Sequence, residues 1–415
     1  MHGLIGVAVI LLIAWLCSEA KTKVKPIPVL ITIGVQVVLA LILLKAPIIS
    51  DGLKLLRYMV IAIETGTIEG SKFIFGFLGG AEKPWVSPED PPVIFAFRIL
   101  PQIVVFSVLV ALLWHWRILP FLTKGFAWVL QRTLGIGGAV GLAAAASIFL
   151  GMAEAPMTIR AYLMRLTRSE LFTVVTCGMS TVAGSIMILY TSFLGPVIAD
   201  SMHHIITASI LNIIGAILIS RIMIPGDKVT DTSLSQDSLH YDSSVDALTK
   251  GVNDGVRIVV NVGAMVLVLV SLVALVDFTM SSLVVGDGSL TVARIFGWIF
   301  FPLAWCMGVP SVDALAAGSM LGTKIALNEV IAFIQLNELS PGLQPSTRMI
   351  MTYAICGFTN LGSVGILIGS LTVLVPDRRP ELLELGPRTL ISGTLVACLT
   401  GTWAGLIHWI FDVAW

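Results

Sequence analysis

The chain has 415 residues, of which 56% are hydrophobic and only 12% charged, and its formal net charge is zero. Soluble globular domains carry about one quarter charged residues, so this composition excludes an ordinary soluble protein, and the charge balance gives a nucleic-acid partner no electrostatic footing. Apolar runs long enough to cross a bilayer, about 20 residues, recur along the whole length, which predicts an all-α polytopic membrane protein.

The first run, "MHGLIGVAVILLIAWLCSEAKTK", has no basic stretch before its apolar core, and its lysines follow that core. It reads as a retained first span at residues 3–20 rather than a cleaved signal, with Lys21, Lys23 and Lys25 on the cytoplasmic side. Further spans are predicted at 28–48, 91–116, 170–195, 204–224, 254–277, 347–373 and 388–411. With the N-terminus outside, Arg117, Lys124 and Arg132 fall inside, as do Arg221, Lys228 and Lys250, and Arg378, Arg379 and Arg388. The loops Gly195–His204, which contains the adjacent His203 and His204, and Val284–Ser289 lack Lys and Arg, as outside loops should. The outside segment 49–90 departs from the rule, with Lys54, Arg57, Lys72 and Lys83 among several carboxylates, and is expected to include an interfacial amphipathic helix.

Two apolar stretches do not read as spans. Residues 133–159 lie between Arg132 and the basic group Arg160, Arg165 and Arg168. With both flanks inside, the stretch must enter and leave on one side, as a re-entrant hairpin broken at "GMAEAP". Residues 309–336, which contain Asp313, Lys324 and Glu329, lie between outside loops and should dip in from the opposite face. Non-helical backbone at membrane depth is tolerated only where protein or a water-filled cavity surrounds it, so hairpin tips are candidate substrate sites. Between the two halves, Asp227–Lys250 is rich in Ser, Thr and Asp and reads as a solvated cytoplasmic loop.

The two halves echo each other. "LAAAASIFLG" (Leu142–Gly151) matches "LAAGSMLG" (Leu315–Gly322), each followed by a glutamate, Glu154 or Glu329. "CGMSTVAGSI" (Cys177–Ile186) matches "CGFTNLGSVGI" (Cys356–Ile366). Because the hairpins enter from opposite faces, the copies have inverted topology, the architecture of secondary transporters with a midplane site between repeats.

Glu154 and Glu329 are intramembrane carboxylates, costly to bury and therefore candidate functional groups; the plainer alternative pairs them with Arg160 or Lys324 or lets them reach an interface. The helices after each hairpin carry Ser180, Thr181 and Ser185, and then Thr359, Asn360 and Ser363, beside Gly178, Gly184, Gly357 and Gly362. These glycines can break the helices and free carbonyls for ligation; alternatively the small residues pack helix on helix, with hydroxyls bonded to their own i−4 carbonyls. Ser147 and Phe358 admit the same packing alternative. The five scattered cysteines form no C-x-x-C pair, which suggests neither a disulfide framework nor a zinc site. No H-E-x-x-H, G-x-S-x-G, P-loop or S-x-x-K motif occurs, against an ATP-driven pump or a familiar intramembrane hydrolase.

Taken together, "FIFGFLGG" (Phe73–Gly80), "FAFRILPQIVVFSVLVALLWH" (Phe95–His115), "SIFLGMAEAP" (Ser147–Pro156), "SELFTVVTCGMSTVAGS" (Ser169–Ser185), "LAWCMGVP" (Leu303–Pro310), "LNEVIAF" (Leu327–Phe333) and "CGFTNLGSVGI" make the chain resemble a concentrative nucleoside transporter over nearly its whole length. The resemblance implies about eight transmembrane helices plus two opposed re-entrant hairpins, a homotrimer, an elevator-like movement of a transport part against a scaffold, and no enzymatic activity or bound cofactor. The chain then divides into scaffold helices 1–116, a first transport repeat 117–226, the polar loop 227–250, a scaffold helix 251–290 and a second repeat 291–415. Matched by motif, Glu154 belongs with the nucleobase contacts, beside Met152 and Ala153; Glu329, Asn360 and Ser363 belong with the ribose hydroxyls; and Phe358 and Ile186 belong to the same substrate site.

Two departures from the family pattern matter. The first-hairpin motif is usually G-Q-T-E or G-Q-x-E, whereas this chain has Gly151-Met152-Ala153-Glu154, which removes two hydrogen-bonding side chains and should change or relax base preference. Sodium-coupled members carry an asparagine where this chain has Ser147; with Leu150, Thr181 and Val182 the region is closer to proton-coupled bacterial members. The expectation is secondary active, proton-coupled nucleoside import across a bacterial inner membrane, with both termini periplasmic and Glu154 or Glu329 carrying the proton. The alternatives are sodium coupling, a modified nucleoside or other small polar metabolite as cargo, and, remotely, a membrane enzyme or channel.

Overall fold

Apolar segments in lipid fold as helices because the hydrocarbon offers no partner for backbone N–H and C=O groups. The computed structural model describes residues 2–45, 62–63, 65–82, 94–195, 198, 200–226, 230, 241–280, 282, 284–285 and 288–411. Among the described residues the only strands are a two-residue antiparallel pair, Val284–Val285 with Gly288–Ser289. The rest of the regular structure is helical.

Two helices, α1 (Gly3–Leu16) and α2 (Pro26–Lys45), lead to a helical stretch at 65–75 and, through a wide turn at Phe95–Ile99, to α3 (Leu100–His115). The next elements are α4 (Ile118–Leu134), α5 (Gly138–Ala146), α6 (Arg168–Ser180), α7 (Gly184–Leu194) and α8 (Ser201–Met223). After the long α9 (Ser244–Met280) come α10 (Val292–Cys306), α11 (Ala314–Ala326), α12 (Glu329–Leu339), α13 (Pro345–Ile355), α14 (Leu361–Leu374) and α15 (Arg379–Phe411). Among the described residues four helices, Pro26–Leu44, Phe95–His115, Ser201–Met223 and Pro376–Phe411, are long and apolar enough to cross a bilayer by length and composition.

The same order of elements occurs twice. Each copy has an outer helix (α4 or α10), a hairpin arm (α5 or α11), a tip, a returning arm, a broken helix (α6–α7 or α13–α14) and a closing helix (α8 or α15).

Several boundaries differ from the sequence reading. The stretch after the third span, for which the sequence reading gave a side for Arg117, Lys124 and Arg132 but no secondary structure, is the helix α4. Its buried residues Leu119, Thr123, Ala127, Leu130 and Leu134 recur at helical spacing, while the three charges lie on the exposed side. Helix α10 was likewise not expected; its apolar run is shorter than a span and holds Pro302. The fourth and seventh spans are each two half-helices. The sixth begins at Ser244 rather than 254 and takes up the end of the polar loop; at 1.5 Å per residue its 37 residues reach about 55 Å, well beyond the hydrocarbon. His203 and His204 belong to the first turn of α8, not to a loop, and His204 Nδ1 lies 2.9 Å from the Tyr353 hydroxyl. Most of the segment 49–90 and the middle of the polar loop, with Lys54, Arg57, Lys83 and Lys228, lie outside the described residues.

Helix α8 is apolar all round and buried nearly all round, as such a helix must be. It packs with α15, α2 and α6, and α1 packs on α15 and α10. At Gly6 an added Cβ would stand 2.2 Å from the Cys306 carbonyl oxygen, so the first helix can sit there only as glycine. A second body is formed by α3 and α9. Gly251 and Gly255, spaced G-x-x-x-G, let the backbones approach until an added Cβ would meet Val108 Cα and Val104 Cα at 2.7 Å.

One end of the first body is tied by ions. Arg168 donates to Glu19 at 2.8 Å and lies 3.1 Å from Glu384, while Arg378 pairs with Glu381 at 2.7 Å and donates to the Leu163 and Leu166 carbonyls. The Arg168 hydrogen bond holds the Glu19 carboxyl below the usual range against a smaller opposing effect of burial.

Candidate functional site

The two broken helices cross at their breaks. Helix α6 ends at Ser180, and Thr181 to Ala183 run extended before α7. Helix α13 ends at Ile355, and the chain turns through Gly357 at φ +125°. That conformation favours glycine, and so does the crossing, since a Cβ at Gly357 would stand 2.4 Å from the Ser180 carbonyl oxygen. Direct bonds join the breaks: Phe358 N–H donates to the Thr181 carbonyl at 3.3 Å, and the Thr359 hydroxyl to the Met179 carbonyl at 2.8 Å.

Each break is met by a hairpin tip. At the first, Gly184 N–H donates to the Phe149 carbonyl at 3.1 Å, and Met152 lies against Gly178, where an added Cβ would be 3.3 Å from its Cα. Gly151 lies so close to the Glu154 carboxyl that a Cβ there would be 2.4 Å from Oε2. At the second tip, Asn328 caps α12 by accepting from Ile331 N–H at 3.0 Å. Glu329 is therefore the first residue of α12, where a negative group meets the positive end of the helix dipole.

The Glu329 carboxylate is 5% exposed and both oxygens are engaged. Tyr190 OH donates to Oε1 at 2.7 Å and Asn360 Nδ2 to Oε2 at 2.9 Å. Asn360 also caps α14, its Oδ1 accepting from Ser363 N–H at 2.7 Å. Lys324, fully buried on the outgoing arm, donates to the Ala354 carbonyl at 3.0 Å. Glu154 has no such side-chain donors among the described residues; its carboxyl meets the Gly151 backbone and feels Asp254 of α9.

These elements line a cavity of about 170 Å³. Met152, Ala153, Glu154, Ile186, Glu329, Phe358, Asn360 and Ser363, the residues assigned from sequence to substrate, all line it. Gly151, Ala183, Ile258, Leu327, Asn328, Val330, Gly362 and Ile366 complete the wall, with Ile258 contributed by α9 of the second body. The lining is apolar apart from a few carboxylate, amide and hydroxyl groups, with the starts of α12 and α14 beside it.

The four residues assigned to the coupling ion, Ser147, Leu150, Thr181 and Val182, are buried and are not among the lining residues. Ser147 Oγ donates to the Ala143 carbonyl and Thr181 Oγ1 to the Cys177 carbonyl, both at 2.9 Å. Val182 N–H donates to Ser209 Oγ at 3.4 Å. Ser185 lies outside the residues whose side chains are described.

Tyr190, which donates to Glu329, and Asn212, which bonds to carbonyls of both breaks, were not singled out from sequence, and Lys324, weighed there as a partner for the glutamates, bonds to the Ala354 carbonyl. Each is a polar side chain inside an apolar run, and that was the available signal.

Residues 5–78, 96–197 and 204–405 match, in turn, the descriptions Na+ dependent nucleoside transporter N-terminus, nucleoside recognition, and Na+ dependent nucleoside transporter C-terminus. The chain is similar to the uncharacterised transporter YutK of Bacillus subtilis, 33% identical over 412 residues that cover 98% of this chain and 99% of that one. It is similar to the nucleoside permease NupC of Helicobacter pylori, 31% identical over 416 residues, 98% and 97% of the two chains. The solved structure of CNTnw in an inward-facing substrate-bound state superposes with a TM-score of 0.90 at 33% identity, covering 100% of this chain and 99% of that one. These relatives and neighbours are transporters, not enzymes.

Proposed function

The chain belongs to the concentrative nucleoside transporter family, and on that premise we propose that its central cavity carries a nucleoside inward across a bacterial inner membrane, driven by a cation gradient. The observation that carries this reading is the convergence of both hairpin tips and both helix breaks on one cavity, with Glu329 held there by Tyr190 and Asn360. A carboxylate fixed by donors keeps acceptor capacity for the vicinal hydroxyls of a ribose. Asn360 and Ser363 flank it, and Phe358 gives an apolar face. Glu154 with Met152, Ala153 and Ile186 forms the base side. Met152 and Ala153 offer no amide or hydroxyl to a base edge, which supports a broader or altered base preference, a modified nucleoside included.

We assign proton coupling, with Glu154 as the proton carrier. Both Glu329 oxygens already accept hydrogen bonds, the arrangement of a standing carboxylate, whereas Glu154 has no side-chain donor among the described residues. The Ser147 region supplies two hydroxyls but no amide or carboxylate oxygen to a metal ion. The family description, Na+ dependent, favours sodium as the second reading; Ser147, Thr181 and nearby carbonyls are then the ligands.

The packing of α1 and α2 on α8, α10 and α15 supports a moving unit that takes in these two helices of the 1–116 stretch read from sequence as scaffold, with a stationary pair α3–α9 that touches the cavity through Ile258. An elevator-like displacement of the first against the second is the movement we assign. The exposed apolar residues of α9, Val260, Leu267, Leu275 and Phe278 among them, suit lipid or the neighbouring subunits of a homotrimer. Thermal stability of the purified protein with a panel of nucleosides, with and without sodium and across pH, tests the reading. Stabilisation by at least one nucleoside is expected; no shift with any nucleoside at millimolar concentration would remove it.

A further inference from the structure

Asn212 lies on α8, does not border the cavity, and is 0% exposed. Its Nδ2 donates to the Ser180 carbonyl at 2.8 Å and to the Cys356 carbonyl at 3.1 Å. Ser180 is the last residue of α6 and Cys356 the residue after α13, so both are among the carbonyls that a terminating helix leaves without an internal partner. An unpaired buried carbonyl is costly in a medium without water. Because both neighbours are acceptors, only the amide nitrogen can face them, and chemistry sets the orientation of the side chain. Among the described residues, no other side chain outside the breaks bonds to both.

The same face of α8 makes two weaker contacts. Ser209 Oγ accepts from Val182 N–H at 3.4 Å, and the Ile205 carbonyl accepts from Cys356 Sγ at 3.8 Å. Residues 205, 209 and 212 follow i, i+4, i+7 spacing and form one stripe against the crossing. Immediately downstream of the first break come Ala183 and Ile186 of the cavity wall, and downstream of the second come Phe358, Asn360 and Ser363. A small relative slip of the breaks would therefore change the distance between the two sides of the cavity, and displacements near 1 Å are enough to spoil a site.

We infer that Asn212 is a positioning residue that clasps the helix breaks of the two repeats to each other and so sets the spacing between the Glu154 and Glu329 sides of the site. The clasp is a matter of geometry; its effect on substrate rests on reading the cavity as the nucleoside site.

Hydrogen–deuterium exchange of the full-length protein in detergent, comparing wild type with Asn212→Leu, tests the clasp without any substrate. Peptides spanning residues 177–187 and 352–364 should both exchange faster in the variant. Faster exchange at one break only, or at neither, overturns the inference. Asn212→Asp, which keeps the shape and removes both amide hydrogens, gives the same reading where the leucine variant does not fold. Uptake in proteoliposomes adds the functional arm. The expected result is a KM for nucleoside raised about tenfold, the scale of one lost buried hydrogen bond, with kcat within about twofold of wild type. An unchanged KM overturns the effect on substrate. Failure of wild type itself to take up nucleosides would instead count against the transport reading, and the exchange data would still decide the clasp.

Discussion

The Tyr190 hydroxyl donates to Glu329 Oε1 at 2.7 Å, joining residues 139 positions apart. This bond joins the two halves of the chain inside the site: Tyr190 stands on the second half-helix of the first repeat, and Glu329 opens the returning hairpin arm of the second. The ring of Tyr190 lies 4.6 Å from that of Phe333, one turn further along the same arm, which fixes the direction of the hydroxyl.

Tyr190→Phe keeps the ring packing and removes the donor. A buried hydrogen bond to a charged group is worth about 1.5–3 kcal/mol, so nucleoside affinity should fall by about tenfold or more while the protein stays folded. Titration calorimetry on the purified variant checks this, and an unchanged affinity would detach Tyr190 from the site.

Met152→Gln puts an amide where the cavity now has a thioether. Affinity for at least one of uridine, cytidine, adenosine and guanosine should rise by about tenfold, since a matched hydrogen bond discriminates where an apolar contact does not. Met152→Leu, which adds no polar group, should leave the order of preference unchanged. A glutamine variant with the wild-type order and affinities would remove Met152 from base recognition.

Gly357→Ala should lower the melting temperature by several degrees. Its φ of +125° costs a side-chain-bearing residue about 1–3 kcal/mol, and its Cβ would meet the Ser180 carbonyl oxygen at 2.4 Å. Gly365, within α14 and with no atom within 4 Å of an added Cβ, is the contrast. Gly365→Ala should be neutral or stabilising by up to about 1 kcal/mol. Differential scanning fluorimetry separates the two; equal melting temperatures for both variants would contradict the crossing of the breaks.

The ion pair between Arg168 and Glu19 sets an acid limit. Hydrogen bonding to Arg168 holds the folded-state pKa of Glu19 below 4.5. A depressed carboxylate contributes stability that is present above its unfolded pKa and lost as pH falls through the folded one. Wild type should therefore be more stable than Glu19→Gln at pH 7, and the difference should shrink as pH drops below about 4.5. Melting curves of both proteins between neutral and acid pH check this, and a difference that does not change with pH would contradict it.

Much of this arrangement is legible in the sequence. A glutamate two residues before a proline inside an apolar run, Glu154 and Pro156, marked the first hairpin tip, because lipid does not tolerate either in a plain span. The glycine and hydroxyl clusters at Cys177–Ile186 and Cys356–Ile366 marked the broken helices. What stayed hidden has a common cause. Tyr190, Asn212 and Lys324 act through partners 139, 32 and 144, and 30 positions away, respectively, and local sequence does not reveal which distant group a lone polar side chain meets. Helix α4 was obscured differently: Arg117, Lys124 and Arg132 interrupt its apolar run, and they share the exposed side of an amphipathic helix whose buried stripe falls between them.

Accumulation of labelled uridine and adenosine in proteoliposomes, under an imposed pH gradient and separately under a sodium gradient, tests the central claim most directly. The expected result is nucleoside accumulation by wild type under the pH gradient and none by Glu329→Gln reconstituted at the same density. Accumulation under the sodium gradient alone would contradict the proton assignment. No accumulation under either gradient, or undiminished uptake by Glu329→Gln, would contradict nucleoside transport through this cavity.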